Sequence, residues 1–389
     1  MIAARLLALG SLVLLLGAAE PSVSDFVADA RSIERRVNED YAYLDRFPGQ
    51  LMPMTAKLRA EADAVTDRRS LARYAERAMT VLADHHSIAG SSFKDSWALV
   101  PSYADLWVER RGSQFTISAV RDGSPAAKAE VRPGDVLHAV DGQSTATAIA
   151  AFWADLGTEG GGERDNYAAR VLAAGKRDRP RRLTIGQPLE RPRELILPNL
   201  YSDWRPQLPP LTVDATSDVT RIRFNDSLGD TATIAAFDAA MTRVGKGRRL
   251  LIDLTDTPSG GNTTVARAVL GWFVTRPTAY QVHRLPGEER RTGIARQWVE
   301  QVLPRPGKSW RGPVTVRVGR WTGSMGEGLA IGFDAMGARV EGDRMAGLLG
   351  AIYDIKLEQS GLMVKFPVER LSAIDGTPRE HFVPRPARH

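Results

Sequence analysis

The sequence predicts an α/β protein: a layered strand–helix core, preceded by a small β-rich domain and a helical cap. Three observations carry this expectation. Beyond residue 211, apolar strands alternate with helix-period segments: strand 221–225 with helix 231–243, strand 250–254 with helix 263–274, and strand 314–318 with helix 325–336. Between 104 and 199 the runs are short and alternating, punctuated by Gly, Pro and Asp. Ahead of them, apolar groups recur at spacings of three and four.

With 389 residues, 43% of them hydrophobic and 25% charged, the chain is of globular type and long enough for two or three domains. Lys+Arg minus Asp+Glu is 52 − 46 = +6, and the arginines are mixed with acids, so no stripe for nucleic acid is present. There is no cysteine. Disulfides, thiolate nucleophiles, iron–sulfur clusters and Cys-ligated zinc are therefore excluded. Neither HExxH nor a GxxxxGK[ST] loop occurs, and no cofactor or metal is expected.

The start reads as a secretory leader over 1–19: Arg5, an apolar run from Leu6 to Leu16, then Gly17-Ala18-Ala19. The run is shorter than the roughly 20 residues a bilayer requires. An exported protein is expected, periplasmic in a Gram-negative source, with an uncleaved anchor as the alternative.

Residues 20–103 are expected to form the cap. Val23, Phe26, Val27, Ala30, Ile33, Val37, Tyr41 and Leu44 share one helix face over 22–46. A second helix near 67–83 carries Leu71, Tyr74, Ala75, Ala78, Met79 and Leu82 and breaks at Asp84-His85-His86-Ser87. Residues 104–199 open with strand 114–120. In Gly123-Ser124-Pro125-Ala126-Ala127, Ser124 is a helix N-cap and Pro125 the first helical residue. Val131-Arg132-Pro133-Gly134-Asp135-Val136-Leu137 turns into a strand, Asp141-Gly142 closes a tight hairpin, and strands near 183–185 and 194–197 complete the unit. Gly-Ser-Pro-Ala, Pro-Gly-Asp-Val-Leu and Val-Asp-Gly in that order resemble a PDZ domain. Such domains take an extended peptide tail as an added strand. Residues 200–389 hold the strand–helix core, with further short strands near 338–340, 352–357 and 362–366.

Three segments could carry chemistry. In Val318-Gly319-Arg320-Trp321-Thr322-Gly323-Ser324-Met325-Gly326-Glu327-Gly328 a strand runs into a glycine-rich turn, with a serine where a helix begins. A hydroxyl there stands at the carboxyl end of a strand, beside outward N–H groups that can stabilise an oxyanion. Ser324 and Glu327 also fit a capping box, which needs no catalysis. Asp253-Leu254-Thr255-Asp256-Thr257-Pro258-Ser259-Gly260-Gly261-Asn262 follows a buried strand, and its paired glycines let backbone N–H groups approach a reacting carbonyl. Asp84-His85-His86-Ser87 places two of only six histidines side by side.

The order PDZ, then Leu-Ile-Asp-Leu-x-Asp-x-x-x-Gly-Gly-Asn, then Gly-Ser-x-x-Glu resembles the tail-specific, or C-terminal processing, serine peptidases over nearly all of 80–389. The resemblance implies a ClpP/crotonase-like layered peptidase core and makes Ser324 the nucleophile. One branch of the family uses a lysine about 25 residues later in a Gly-Lys-Gly setting. The matching position is Leu349, which has no titratable group, and Lys356 and Lys365 do not fit the motif. The other, tricorn-core-like branch carries Asp-x-His in the cap, which Asp84-His85-His86 fits. That makes His86 the general base. An acidic residue near the C-terminus then polarises the histidine through a relay serine; Glu380 is the match, and Ser87 is the nearest serine for the relay. Met325, with Gly260 or Gly261, would supply the oxyanion donors.

The expectation is an exported serine endopeptidase for unfolded or tail-exposed polypeptide, its substrate's C-terminus held at the PDZ domain. It would have no nucleic-acid partner and no membrane span once the leader is gone, and an oligomer remains compatible. The alternative is a peptidase fold without activity that binds peptide or apolar ligand, with Ser324 as a helix cap. An esterase using the same triad is a third reading.

Overall fold

The computed structural model describes residues 21–187, 190–202, 207–245 and 248–387. The leader segment 1–19 lies outside them. Among the described residues no helix is long and apolar enough to cross a membrane.

The cap contains α1 (Val23–Asp40), α2 (Ala56–Asp63) and α3 (Arg68–Thr80). Capping boxes at Ser22/Asp25 and Asp67/Ser70 start α1 and α3 by satisfying their first orphan N–H groups. Ile33, Val37, Leu58, Leu71 and Ala75 pack with no exposure. The first helix ends at Asp40 rather than running to 46: Tyr41 turns extended, and Leu44 reaches the core from a 3-10 turn. A short strand, β1 (Ile88–Ala89), leaves the cap and pairs antiparallel with a strand near the C-terminus.

The second region is β2 (Leu106–Arg111), β3 (Gln114–Val120), α4 (Pro125–Lys128), β4 (Val136–Val140), β5 (Gln143–Ser144), α5 (Thr145–Asp155), α6 (Glu163–Ala174), β6 (Arg181–Gly186) and β7 (Arg193–Leu197). The sheet runs β2-β3-β4-β6-β7, with β5 on β4. Ser124 caps α4 through Ala127 N–H at 3.2 Å. Asp141 and Gly142 both take positive φ, 50° and 82°, as a type I′ turn demands.

The third region comprises β8 (Leu211–Ala215), β9 (Val219–Phe224), α7 (Ala232–Arg243), β10 (Arg249–Asp253), α8 (Thr263–Leu270), β11 (Thr278–Arg284), α9 (Pro286–Thr292), β12 (Gln297–Val302), β13 (Val314–Val318), α10 (Met325–Ala335), β14 (Arg339–Gly342), β15 (Ala351–Lys356) and β16 (Met363–Ser372). Strands β14-β13-β10-β9 are parallel, and β8 closes the edge antiparallel to β9. Ile222, Ile252 and Val316 of this sheet pack with Phe237, Val265, Leu329 and Phe333 of the helices. A separate antiparallel sheet runs β1-β16-β11-β12, with β15 on β16. The cap strand is thus woven into the C-terminal sheet. One apolar cluster joins cap, β2–β7 region and residues 346–368, while a second fills the parallel layer.

The β2–β7 region grips the core at both loops that follow the central strands. Trp321 Nε1 donates to Ala104 O at 2.7 Å. Arg121 and Arg223 converge on Asp256 at 2.8 and 3.0 Å, and Arg320 reaches Glu109 at 2.6 Å.

Candidate active site

The chain leaves β13, makes a glycine-rich turn and enters α10 through Ser324, whose φ of 50° and ψ of −113° are unusual for a residue with a side chain. Such a conformation costs on the order of 1–2 kcal/mol and persists only where the surroundings impose it. Here they do. Ser324 N–H donates to Glu327 Oε2 at 2.9 Å, the reach-back half of the predicted capping box. Glu327 has no exposure, and its two oxygens also accept from Gly347 N–H at 2.8 Å and Leu348 N–H at 3.2 Å. Burial pushes this carboxyl up to about 7, against the opposing pull of Arg379 and the three N–H groups.

The loop after β10 is zipped to the serine turn. Thr257 N–H donates to Trp321 O at 2.9 Å, and Gly323 N–H to Thr257 O at 3.2 Å. Gly260, at φ 68°, lies directly behind the serine: a Cβ at this position would fall 2.4 Å from Ser324 Cβ and 2.9 Å from its Oγ. At Gly261 a Cβ would meet Leu228 O at 2.1 Å. Gly260 N–H is already donated to Thr257 O at 3.2 Å. Among the described residues neither Gly261 N–H nor Met325 N–H makes a hydrogen bond. Gly261 is therefore the better placed of the two predicted glycines to serve with Met325 as an anion donor.

His86 sits on a turn organised by Asp84, which is 3% exposed and accepts from His86 N–H at 2.9 Å, Ser87 Oγ at 2.9 Å and Tyr41 OH at 3.0 Å. Ser87 thus serves Asp84, and among the described residues its hydroxyl makes no hydrogen bond to Glu380. The imidazole Nδ1 lies 2.6 Å from Leu349 O. A carbonyl only accepts, so Nδ1 carries the proton and Nε2 keeps its lone pair, the tautomer a general base needs. Burial, then the Arg379 charge, lower His86 to about 4, so it is neutral at pH 7. Leu349, which has no titratable side chain, contributes its backbone carbonyl instead.

The predicted members do not all meet. Among the described residues no hydrogen bond joins the His86 ring to Ser324 or to Glu380. The segment 347–350 links the two sides: Leu349 O holds the ring, while Gly347 and Leu348 N–H hold Glu327 behind the serine. Glu380, on the C-terminal 3-10 turn Arg379–His381, borders a cavity of about 570 Å³ with Tyr43, Asp84 and His85, and its Oε2 is buried without a partner.

A cavity of about 440 Å³ opens beside Ser324, Met325 and Gly261 and is also lined by His283, Glu300 and Glu369. The sequence reading missed this cluster. His283 Nδ1 lies 2.6 Å from Glu369 and Nε2 3.1 Å from Glu300. Although burial opposes the charge, these carboxylates raise the ring to about 9. It is a cation at pH 7 with both nitrogens engaged, which disqualifies it as the base for Ser324. The available signal was the alternation Thr278-Ala279-Tyr280-Gln281-Val282-His283, a strand with polar groups on its buried side.

In the β2–β7 sheet, α6 lies against the edge strand β2. Arg110 N–H donates to Asn166 Oδ1 at 2.7 Å, and Arg170 Nε donates to Val108 O at 3.1 Å. Side chains of α6 thus occupy edge groups that an added peptide strand would use.

Residues 116–152 match the PDZ domain family. No curated protein matches the sequence significantly. Among solved structures, the photosystem II D1 C-terminal processing protease superposes over 93% of this chain and 92% of its own, with TM-score 0.56 and 17% identity. Mature CPAF, solved in complex with lactacystin, covers 94% and 93% with TM-score 0.57 and 15% identity. A lipoprotein from Streptococcus agalactiae covers 96% and 95% with TM-score 0.52 and 11% identity. From cap to C-terminal turn, the chain carries the fold of the C-terminal processing proteases, PDZ module included.

Proposed function

We propose that the chain is an exported serine endopeptidase that cleaves unfolded or tail-exposed polypeptide through an acyl-enzyme on Ser324. In this reading 1–19 is removed as a leader, 20–103 is the cap, 104–199 the PDZ domain and 200–389 the peptidase core. The observation that carries it is the serine turn: a strained Ser324 at a helix start, backed by Gly260, with two undirected N–H groups at Met325 and Gly261.

Ser324 Oγ attacks the scissile carbonyl while His86 Nε2 takes its proton. The carbonyl oxygen gains charge between Met325 and Gly261 N–H, donors whose individual loss costs roughly 100–1,000-fold in rate. The imidazolium then protonates the leaving amine, and water repeats the sequence on the ester. Leu349 O fixes the tautomer, and Glu380 stabilises the imidazolium once the ring swings toward Ser324. The step requires the His86 ring to come within hydrogen-bond reach of Ser324, in keeping with catalytic contacts that tighten only with substrate. The PDZ domain holds the substrate's C-terminus.

One observation favours a second reading: among the described residues the imidazole makes no hydrogen bond to Ser324. A peptide-binding protein of the same fold, without hydrolysis, would look the same. A fluorophosphonate probe separates the two. Labelling of wild type at Ser324, lost in Ser324→Ala and strongly reduced in His86→Ala, supports the peptidase. Absence of labelling, together with cleavage of a denatured protein no faster than by Ser324→Ala, supports the binder.

A further inference from the structure

Arg379 is the most enclosed cation near the serine turn without a close carboxylate partner. It is 3% exposed, and its nearest acid, Glu327, stands 3.9 Å away. Its Nη2 donates to Leu348 O at 2.9 Å and to Gly350 O at 2.8 Å, while its Nε is buried with no partner. Between those carbonyls, Leu349 O takes the His86 ring. The three residues 348–350 are thus held by both a guanidinium and an imidazole through their carbonyls.

We propose that Arg379 is the positioning residue of the Ser324–His86 pair: by gripping the carbonyls of Leu348 and Gly350 it sets where the Leu349 carbonyl, and hence the imidazole, lies relative to the serine turn. The assignment rests on the peptidase reading given above. Glu327 completes the clamp, because it binds the N–H groups of Gly347 and Leu348 and that of Ser324. A fixed charge beside the ring also disfavours its protonated form. The groups bearing on His86 are Arg379 from the C-terminal turn, Asp84 from its own turn, and the carbonyls of Leu349 and Gly350 from the segment between. Glu327 faces Arg379 from α10, and Glu380 and Tyr43 lie on its cap side. Only Arg379 among these opposes protonation by charge, so its removal moves the ring's titration upward.

Two variants divide charge from grip. Arg379→Met removes both. Arg379→Lys keeps the charge but replaces the planar fork with a single flexible ammonium. The test combines the pH dependence of fluorophosphonate labelling at Ser324 with an NMR titration of the His86 ring, assigned by loss of its signals in His86→Asn. Wild type should label at similar rates at about pH 5 and about pH 8, because its ring is neutral at both. Arg379→Met should lose labelling several-fold at the lower pH and titrate at higher pH by NMR. Arg379→Lys should keep the wild-type pH profile but label several-fold more slowly throughout. An unchanged His86 titration in Arg379→Met, or wild-type labelling at every pH in both variants, overturns the assignment. If wild type itself does not label, the peptidase reading fails, while the NMR titration still decides whether Arg379 governs the ring. Should Arg379→Met not fold, Arg379→Gln takes its place.

Discussion

Gly260→Ala tests the serine turn most directly. The added methyl carbon would lie 2.4 Å from Ser324 Cβ, 2.9 Å from its Oγ and 3.0 Å from Met325 N, all closer than van der Waals contact. Two costs arise. A non-glycine residue at φ 68° loses on the order of 1–2 kcal/mol. Overpacking a well-filled site adds roughly 1–3 kcal/mol. The sum, about 2–5 kcal/mol, falls on a turn tied through Thr257 and Gly323, so the strain is relieved most easily by moving Ser324. A displacement of the order of 1 Å costs about 100-fold in a reaction that depends on orientation. Urea denaturation should show the stability loss, and fluorophosphonate labelling should slow by about that factor while far-ultraviolet circular dichroism stays unchanged. Labelling at the wild-type rate would refute the claim that Gly260 sets the position of the serine.

The remaining expectations concern the buried charges and the PDZ edge. His283 has a folded value of about 9, above its ordinary 6.5, so its stabilisation is complete below pH 6.5 and fades as pH rises through 9. That difference amounts to roughly 3 kcal/mol. His283→Gln should lose about 3–5 kcal/mol near pH 6, because Glu300 and Glu369 stay buried without their cation, and the deficit should shrink in urea titrations run above pH 9. Glu327 is likewise raised, to about 7 from 4.5, so its neutral form is favoured in the fold and stability declines with pH between those values. Glu327→Gln should abolish that decline, yet still cost about 1–3 kcal/mol, since an amide offers one accepting oxygen to three N–H groups; stability curves measured at several pH values decide it. Asn166→Ala frees Arg110 N–H at the β2 edge and should tighten binding of peptides with free C-termini a few-fold by calorimetry, since one net hydrogen bond is worth about 0.5–1.5 kcal/mol. Unchanged or weaker binding would place the tail site elsewhere.

The parallel layer was readable because its signals are local. Val314–Val318 is a bounded apolar strand, and its observed limits coincide with the expected ones. The Asp141-Gly142 turn was readable because its φ requirement leaves few residue choices. The serine turn and the paired glycines were readable because strand, glycines and helix cap lie within a dozen residues. The antiparallel hairpin of β11 and β12 was not. Gln281 and His283 look like surface groups in sequence, yet both are buried: the ring meets Glu300 and also Glu369, 86 residues beyond it, and Gln281 bonds the ring. Strand β16 runs through Pro367 and Glu369 to Ser372, well past the expected 366, with the proline opposite Ile352 at a register shift. A proline and a glutamate look like a strand end until pairing is known. At the site, residue types were legible and orientations were not: which way the His86 ring faces depends on a carbonyl from residue 349, and no local pattern encodes that meeting.

The grip of the β2–β7 region on Trp321, Arg320 and Asp256 bears on how this protein could be re-engineered. Excising the β2–β7 region would strand the indole N–H of Trp321 and take the Arg121 guanidinium from Asp256, at the bases of the two loops that surround Ser324. A chimera carrying a foreign recognition domain would need to reproduce those three fastenings, so swapping specificity here is a problem in masonry before it is one in peptide recognition.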